Sequence, residues 1–244
     1  MKRGPSGRNG QRTMPPKSTI HWPVLRIPNI IRLIAALSIF SHFHGILLTG
    51  VQENFVLRYF AFIPERFQSP ELWHNESITL ALSPVTYAYI HSDTYHLLLN
   101  VFFLLAFGTA VARRMSLIQF LLLYISSGIF SAFFWMGFNP HEIAPLIGSS
   151  GALSGILGAL VHISIAPKFQ TDPCHPIMPK SVAVLVAIFW IGTNLIFWLF
   201  EVMISSELGN IAWEAHIGGF IFGFLVGRTF DGRGLPNTPM PPGP

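Results

Sequence analysis

The sequence predicts an all-α, polytopic membrane protein, a bundle of six transmembrane helices. Three observations carry that expectation. Of 244 residues, 51% are hydrophobic and only 11% charged, whereas a soluble domain carries about 25% charged residues to face water. The mean hydropathy is +0.51. The apolar residues gather into runs long enough to cross about 30 Å of hydrocarbon, which takes roughly 17 to 25 helical residues. The single cysteine, Cys174, rules out an internal disulfide and with it a disulfide-stapled secreted domain.

Five runs have spanning length: residues 30–49, 95–111, 117–136, 150–166 and 182–200. A sixth, 217–226, is too short until it is extended upstream through Ile211, Trp213, Glu214 and His216. The extension places an acid and a histidine in one end of a membrane helix, where ionisable groups are costly and normally face a bundle interior or a wet cavity. An even number of spans puts both termini on one side. Thirteen of the fifteen Lys and Arg residues fall on that side, and only Arg58 and Arg66 on the other, together with nine of the eleven acids. By the positive-inside rule both termini are expected in the cytoplasm. The net charge of +4 is thereby an orientation signal, and no nucleic-acid partner is expected.

Residues 1–27 form a basic, Gly/Pro-rich stretch and residues 231–244 a Pro/Gly-rich one; both are expected to be disordered cytoplasmic tails around a domain at 28–230. The connection between the first two spans, about 40 residues with Phe55, Phe60, Phe62 and Trp73, exceeds ordinary loop length and is expected to fold on the outer membrane face.

Spans two, four and six run from outside to inside, so their first turns share the outer leaflet. His91 introduces span two, which begins with His96 and Asn100; span four opens with Gly148, Ser149, Ser150 and Gly151; span six opens with His216. His96 and Asn100 are four residues apart, on one helical face. Small residues recur in span four (Gly151, Gly155, Gly158) and span six (Gly219, Gly223, Gly227), a pattern that lets membrane helices approach closely. Such a contact would hold Ser150 beside His216. A serine hydroxyl becomes a nucleophile when a neighbouring base takes its proton, and neutral histidine is the usual base. No acid lies within spans two to five, and Glu214 and Asp93 lie near the interface, so a Ser-His dyad is expected rather than a triad. The Ser150 amide, the His96 imidazole and the Asn100 amide would serve as oxyanion donors. Ser149, Ser154 and Ser164, with His42, His44 and His162, read as packing or structural residues.

Gly148-Ser149-Ser150-Gly151 resembles the GxSG motif of rhomboid intramembrane serine proteases, Ala215-His216-Ile217-Gly218-Gly219 with Gly223 resembles their AHxxG motif, and His91, His96 and Asn100 resemble their HxxxxHxxxN motif. The order and the span positions of the three motifs make the resemblance specific. It implies a rhomboid-like bundle in which Ser150 is nucleophile and His216 general base and acid, with His96, Asn100 and the Ser150 N–H at the oxyanion. His91, Gly148, Gly151, Gly219 and Gly223 would line the cavity or shape it. The implied substrates are transmembrane segments of single-span or polytopic membrane proteins met within the lipid bilayer, with no metal and no organic cofactor. The sequence departs from the family pattern at Leu82 and Ser83, where many members have Trp-Arg, at Ala112 in place of a glutamate, and at Ser154 in place of a Tyr or Phe that packs on the catalytic histidine. Pseudoproteases of the superfamily, which bind transmembrane clients without cutting them, usually lack the serine or the histidine; both are present here. A transporter would be expected to show related halves, which are not evident. The short tails point to a bacterial inner membrane; nothing in the sequence speaks to oligomeric state.

Overall fold

A backbone in hydrocarbon must satisfy its own hydrogen bonds, so each long apolar run closes into a helix. The computed structural model describes residues 27–166, 178–204 and 211–229. The expected tails up to residue 26 and beyond 230, together with Lys168, Cys174 and Glu207, lie outside the described residues. After Pro28 the chain enters α1 (Asn29–Ile46). The second long span, Thr94–Ala112, is built from α6 (Thr94–Phe103), a π-helical turn over Leu104–Gly108 and α7 (Thr109–Ala112), reached after the four helices of the intervening connection. Then come α8 (Leu117–Phe138), α9 (Ser150–Ile165), α10 (Lys180–Ile204) and α11 (Trp213–Gly227).

Four of these helical segments are long and apolar enough to cross a membrane, against five runs of spanning length and a weaker sixth expected; α9 and α11 are apolar but shorter. At 1.5 Å per residue, 16 and 15 residues reach only about 24 and 22 Å. Their place in the bundle explains the shortfall. Thirteen of the sixteen residues of α9 are buried, from Gly151 through Ser164, so this helix meets protein on nearly every side. The outer helices carry the exposed apolar side chains, such as Leu33 and Phe40 of α1, Phe102 of α6, Leu122 of α8 and Phe189 of α10. Helix α10 also runs past its expected end at residue 200 and so includes Glu201, an acid absent from the expected spans two to five.

The central contact is between α9 and α11. A Cβ built on Gly219 would collide with the carbonyl oxygen of Gly151, one on Gly223 with that of Gly155, and one on Gly158 with that of Phe220. The backbones touch where side chains would otherwise hold them apart. On its other flank α9 meets α8, where Gly151 and Gly155 leave room for Ser131 and Ser127. Ile31 and Ile34 of α1, Phe120 and Leu123 of α8, and Leu153, Ile156 and Leu160 of α9 form the main apolar core.

The long connection folds into α2 (Gly50–Phe60), α3 (Pro64–Phe67), α4 (Pro70–Asn75) and α5 (Ser77–Thr86). Phe62 pairs with Leu146 in an isolated antiparallel bridge and packs with Tyr87, Trp135 and Ala215, which fastens the connection to the segment leading into α9. Glu76 accepts from Arg58 at 2.8 Å and also pairs with Arg66; the hydrogen bond from Arg58 is the foremost cause that holds its carboxyl below the usual range. Ser83, buried, donates to the Leu80 carbonyl at 3.0 Å, whereas Leu82 is exposed. The ionic tie of this region is thus made by Arg58, Arg66 and Glu76 and not by residues 82 and 83.

Gly223→Val should lower the thermal midpoint in detergent, with a cost of at least about 1–3 kcal/mol from overpacking, because the opposing atom is backbone. Gly192→Ala, whose added Cβ meets nothing within 4 Å, should leave the midpoint unchanged or raise it.

Candidate active site

Gly148 makes the turn into α9. Its φ of +97° lies in a region that side chains disfavour, its N–H donates to the Tyr87 carbonyl at 3.0 Å, and a Cβ there would come within 2.5 Å of the His96 ring. Ser149 is the N-cap residue, and Ser150 the first of the helix. The N–H groups of a first turn have no intrahelical partner, so the Ser150 amide is available as a donor where the chain enters α9.

The Ser150 Oγ lies 2.8 Å from His216 Nε2. Each residue is held from behind. The Ser154 hydroxyl donates to the Ser150 carbonyl at 2.7 Å, and the Ser131 hydroxyl, from α8, donates to the carbonyl of Ala215 at 2.7 Å. The other ring nitrogen of His216, Nδ1, lies 2.8 Å from Asn194 Oδ1 on α10. Asn194 is buried, and its Nδ2 donates to the Trp190 carbonyl at 2.8 Å. That carbonyl can only accept, so the amide nitrogen must face it and the amide oxygen must face the histidine. An amide oxygen in turn requires a proton on Nδ1. The ring is thereby left with its lone pair on Nε2, pointing at the serine hydroxyl.

Asn194 was not among the residues singled out from the sequence. Glu214 and Asp93, the two carboxylates considered for that place, are elsewhere: Glu214 accepts from Asn139 Nδ2 at 3.1 Å, and Asp93 caps α6 by accepting the His96 N–H at 3.0 Å. The signal available was one amide inside an apolar helix. Ser149, read as packing, also has a specific partner, donating to Asn100 Oδ1 at 3.1 Å. Asn100 is buried, and its Nδ2 donates to the His96 carbonyl at 2.8 Å. Since an amide nitrogen carries two protons, one remains after that bond.

These groups face one cavity of about 770 Å³, lined by His96, Asn100, Ser150, Trp190, Asn194 and His216 among others. His91 is not part of the lining; its ring packs edge-on against that of His96, centroids 5.1 Å apart. Gly151, Gly219 and Gly223 do not line the cavity either but allow the α9–α11 contact beneath it. On α10, Trp190 and Phe197 line the cavity, whereas Trp198 packs on Trp213 with centroids 6.5 Å apart. Among the described residues no group of three or more His, Cys, Asp or Glu side chains is placed to hold a metal ion.

Residues 80–232 match the family model described as Rhomboid domain, well over half of the 244 residues. The chain belongs to the rhomboid family. It is 31% identical over 163 residues to the Rhomboid protease GluP of Bacillus subtilis, a match covering 64% of this chain and 26% of that protein. It is 25% identical over 174 residues to Rhomboid protein 1, mitochondrial, of Saccharomyces cerevisiae, covering 66% and 48%. To RHOMBOID-like protein 1 of Arabidopsis thaliana it is 32% identical over 145 residues, covering 59% and 33%. The matches thus span between a quarter and a half of the length of these relatives. The rhomboid assignment makes this an integral membrane protein, and the relatives come from a bacterium, a fungus and a plant.

Gly148→Ala forces a side chain into the disfavoured conformation, at about 1–2 kcal/mol, and against the His96 ring. A lowered thermal midpoint is expected. A midpoint equal to that of the unsubstituted protein would show that this turn is not fixed by its glycine.

Proposed function

We propose that this rhomboid protein is an intramembrane serine endopeptidase, with Ser150 as nucleophile and His216 as general base and acid. The observation that carries the reading is the 2.8 Å approach of Ser150 Oγ to His216 Nε2 at the wall of a cavity large enough for an extended peptide. The names of relatives such as the Rhomboid protease of Bacillus subtilis support the same class of chemistry.

In this reading Ser150 Oγ attacks the scissile carbonyl of a transmembrane segment as its proton passes to His216 Nε2. The carbonyl oxygen becomes an oxyanion, met by the Ser150 N–H, the remaining Asn100 amide proton and the His96 imidazole. Collapse of the tetrahedral intermediate returns the proton from His216 to the leaving amine. Water then enters and attacks the acyl-serine as its proton passes to His216 Nε2; collapse of this second intermediate breaks the bond to Ser150 Oγ, which takes the proton back from His216 as the acid product leaves. The substrate approaches beside α10, whose Phe189, Trp190 and Phe197 line the cavity. A helix that unwinds there loses backbone hydrogen bonds worth several kcal/mol each in lipid, so segments with helix-breaking residues are the favoured substrates. We place both termini in the cytoplasm on the distribution of basic residues.

A fluorophosphonate probe in detergent should label the protein on Ser150, and Ser150→Ala should abolish labelling. A folded protein that takes no label would favour a client-binding role without catalysis. Cleavage of tagged single-span proteins in membranes should be lost in both Ser150→Ala and His216→Ala.

Asn100→Ala tests a separate step. Loss of one oxyanion donor should slow turnover about 10- to 1000-fold, with labelling still detectable at long times; an unchanged rate removes Asn100 from the oxyanion.

A further inference from the structure

We infer that Asn194 is a positioning residue for His216, fixing the tautomer and the plane of the base from α10. The inference rests on the protease reading above and extends it from a pair of residues to three. Its ground is the geometry of one side chain. Among the α10 residues whose side chains are described, only Ala183 and Asn194 are buried, and Asn194 spends its burial on two hydrogen bonds, one to the Trp190 carbonyl of its own helix and one to His216 Nδ1. The first bond sets which end of the amide faces the imidazole; the second sets which nitrogen of the imidazole carries the proton.

Among the described residues, no other side chain hydrogen-bonds His216 Nδ1. Ser154, one turn after the nucleophile, points back to the Ser150 carbonyl and so does not support the ring. Trp190 packs near it, centroids 5.9 Å apart and tilted by 48°, which restrains the ring without choosing a tautomer. Both constraints on the imidazole, the packing and the hydrogen bond, therefore come from α10.

The chemical type of the group is also informative. A carboxylate in this place would stabilise the imidazolium more strongly, but an ion buried at membrane depth carries a large desolvation cost. An amide oxygen accepts the same proton without net charge. Its dipole supports the positive charge that develops when His216 takes the serine proton, and no ion has to be kept in the low-dielectric interior in the resting state. The titratable groups that share the cavity with His216 are Asp93, Tyr95, His96, Glu142 and Glu214; none of them hydrogen-bonds the imidazole in the way Asn194 does.

The test compares the full-length protein with Asn194→Leu, which keeps the volume and removes the acceptor, and Asn194→Asp, which keeps the acceptor and adds charge. With a transmembrane substrate in detergent, Asn194→Leu should lower kcat about 10- to 100-fold, a part of what acid–base catalysis supplies, with KM changed less than twofold. Asn194→Asp should recover much of that loss and move the acid limb of the kcat/KM profile to higher pH, because a neighbouring negative charge favours the imidazolium. A folded Asn194→Leu protein with the parental kcat and acid limb overturns the inference. If that variant does not fold, the aspartate variant decides, and an acid limb at the parental pH overturns it. A spectroscopic reading keeps this result apart from the protease reading. In protein labelled with 15N-histidine, His216 should carry its proton on Nδ1, and lose that preference in Asn194→Leu, whether or not a substrate is cleaved; a proton on Nε2 in the unsubstituted protein overturns the inference.

Discussion

The distance between the α9 and α11 backbones governs the rest of this molecule. Lipid tails are as apolar as leucine, so helices inside a membrane gain little from hiding apolar surface from one another and associate through packing and hydrogen bonds. Here the packing is backbone on backbone: Gly219 lies against the Gly151 carbonyl and Gly223 against that of Gly155. At the end of this seam, toward the helix starts, Ser150 directly precedes Gly151 and His216 lies three residues before Gly219. A methyl group at Gly158, Gly219 or Gly223 would meet the opposing backbone and force the seam to widen. The same stripe of α9 is used twice, since Gly151 and Gly155 also admit Ser131 and Ser127 of α8, and Ser131 in turn holds the carbonyl of Ala215, the residue before His216. The seam and the site are one construction.

Polarity within the bundle is handled by a repeated device. Asn100 donates to the carbonyl of His96, Ser154 to that of Ser150, Ser164 to that of Leu160 and Asn194 to that of Trp190, each four residues back along its own helix. A carbonyl already engaged in the helix has a second lone pair to accept such a bond, so each polar side chain is settled locally before it meets anything else. What it has left is then directed: the Asn100 oxygen to Ser149, the Asn194 oxygen to His216. These four bonds add fixed dipoles to the interior without adding ions, which is the cheaper arrangement where charge is desolvated.

This device also explains what could and could not be read from the sequence. Ser150, His216, His96 and Asn100 stand out because each opens an apolar span with a polar group, and the glycine spacing suggests which spans touch. Asn194 has no such mark. It lies inside a span, at a place where an asparagine bonded to its own helix would be unremarkable, and the reading that sought a third member looked for a carboxylate. Only the packing of α10 against α11 brings it to Nδ1. The shortness of α11 showed in its apolar run, but that of α9 was obscured for a related reason: a run of apolar residues states that a segment avoids water, not whether it meets lipid or protein. The bridge of Phe62 to Leu146 joins positions 84 apart in the chain, and no local pattern announces it, although the length and aromatic content of the connection did signal that it would fold.

The assignment of roles among helices has an energetic logic. Only 11% of the apolar window of α10 is buried, against 39% for α8. Moving α10 outward would mostly exchange contacts with lipid for other contacts with lipid, at small cost. Of the polar contacts described for α10, the one it makes with another element is the bond from His216 to Asn194. The helix that is cheapest to displace is therefore the one that carries the acceptor for His216 Nδ1, so in the proposed reading the α9–α11 seam holds Ser150 beside His216 and the seating of α10 completes the orientation of the imidazole. In that reading a loosely packed wall is coupled to the tautomer of one histidine through a single neutral hydrogen bond.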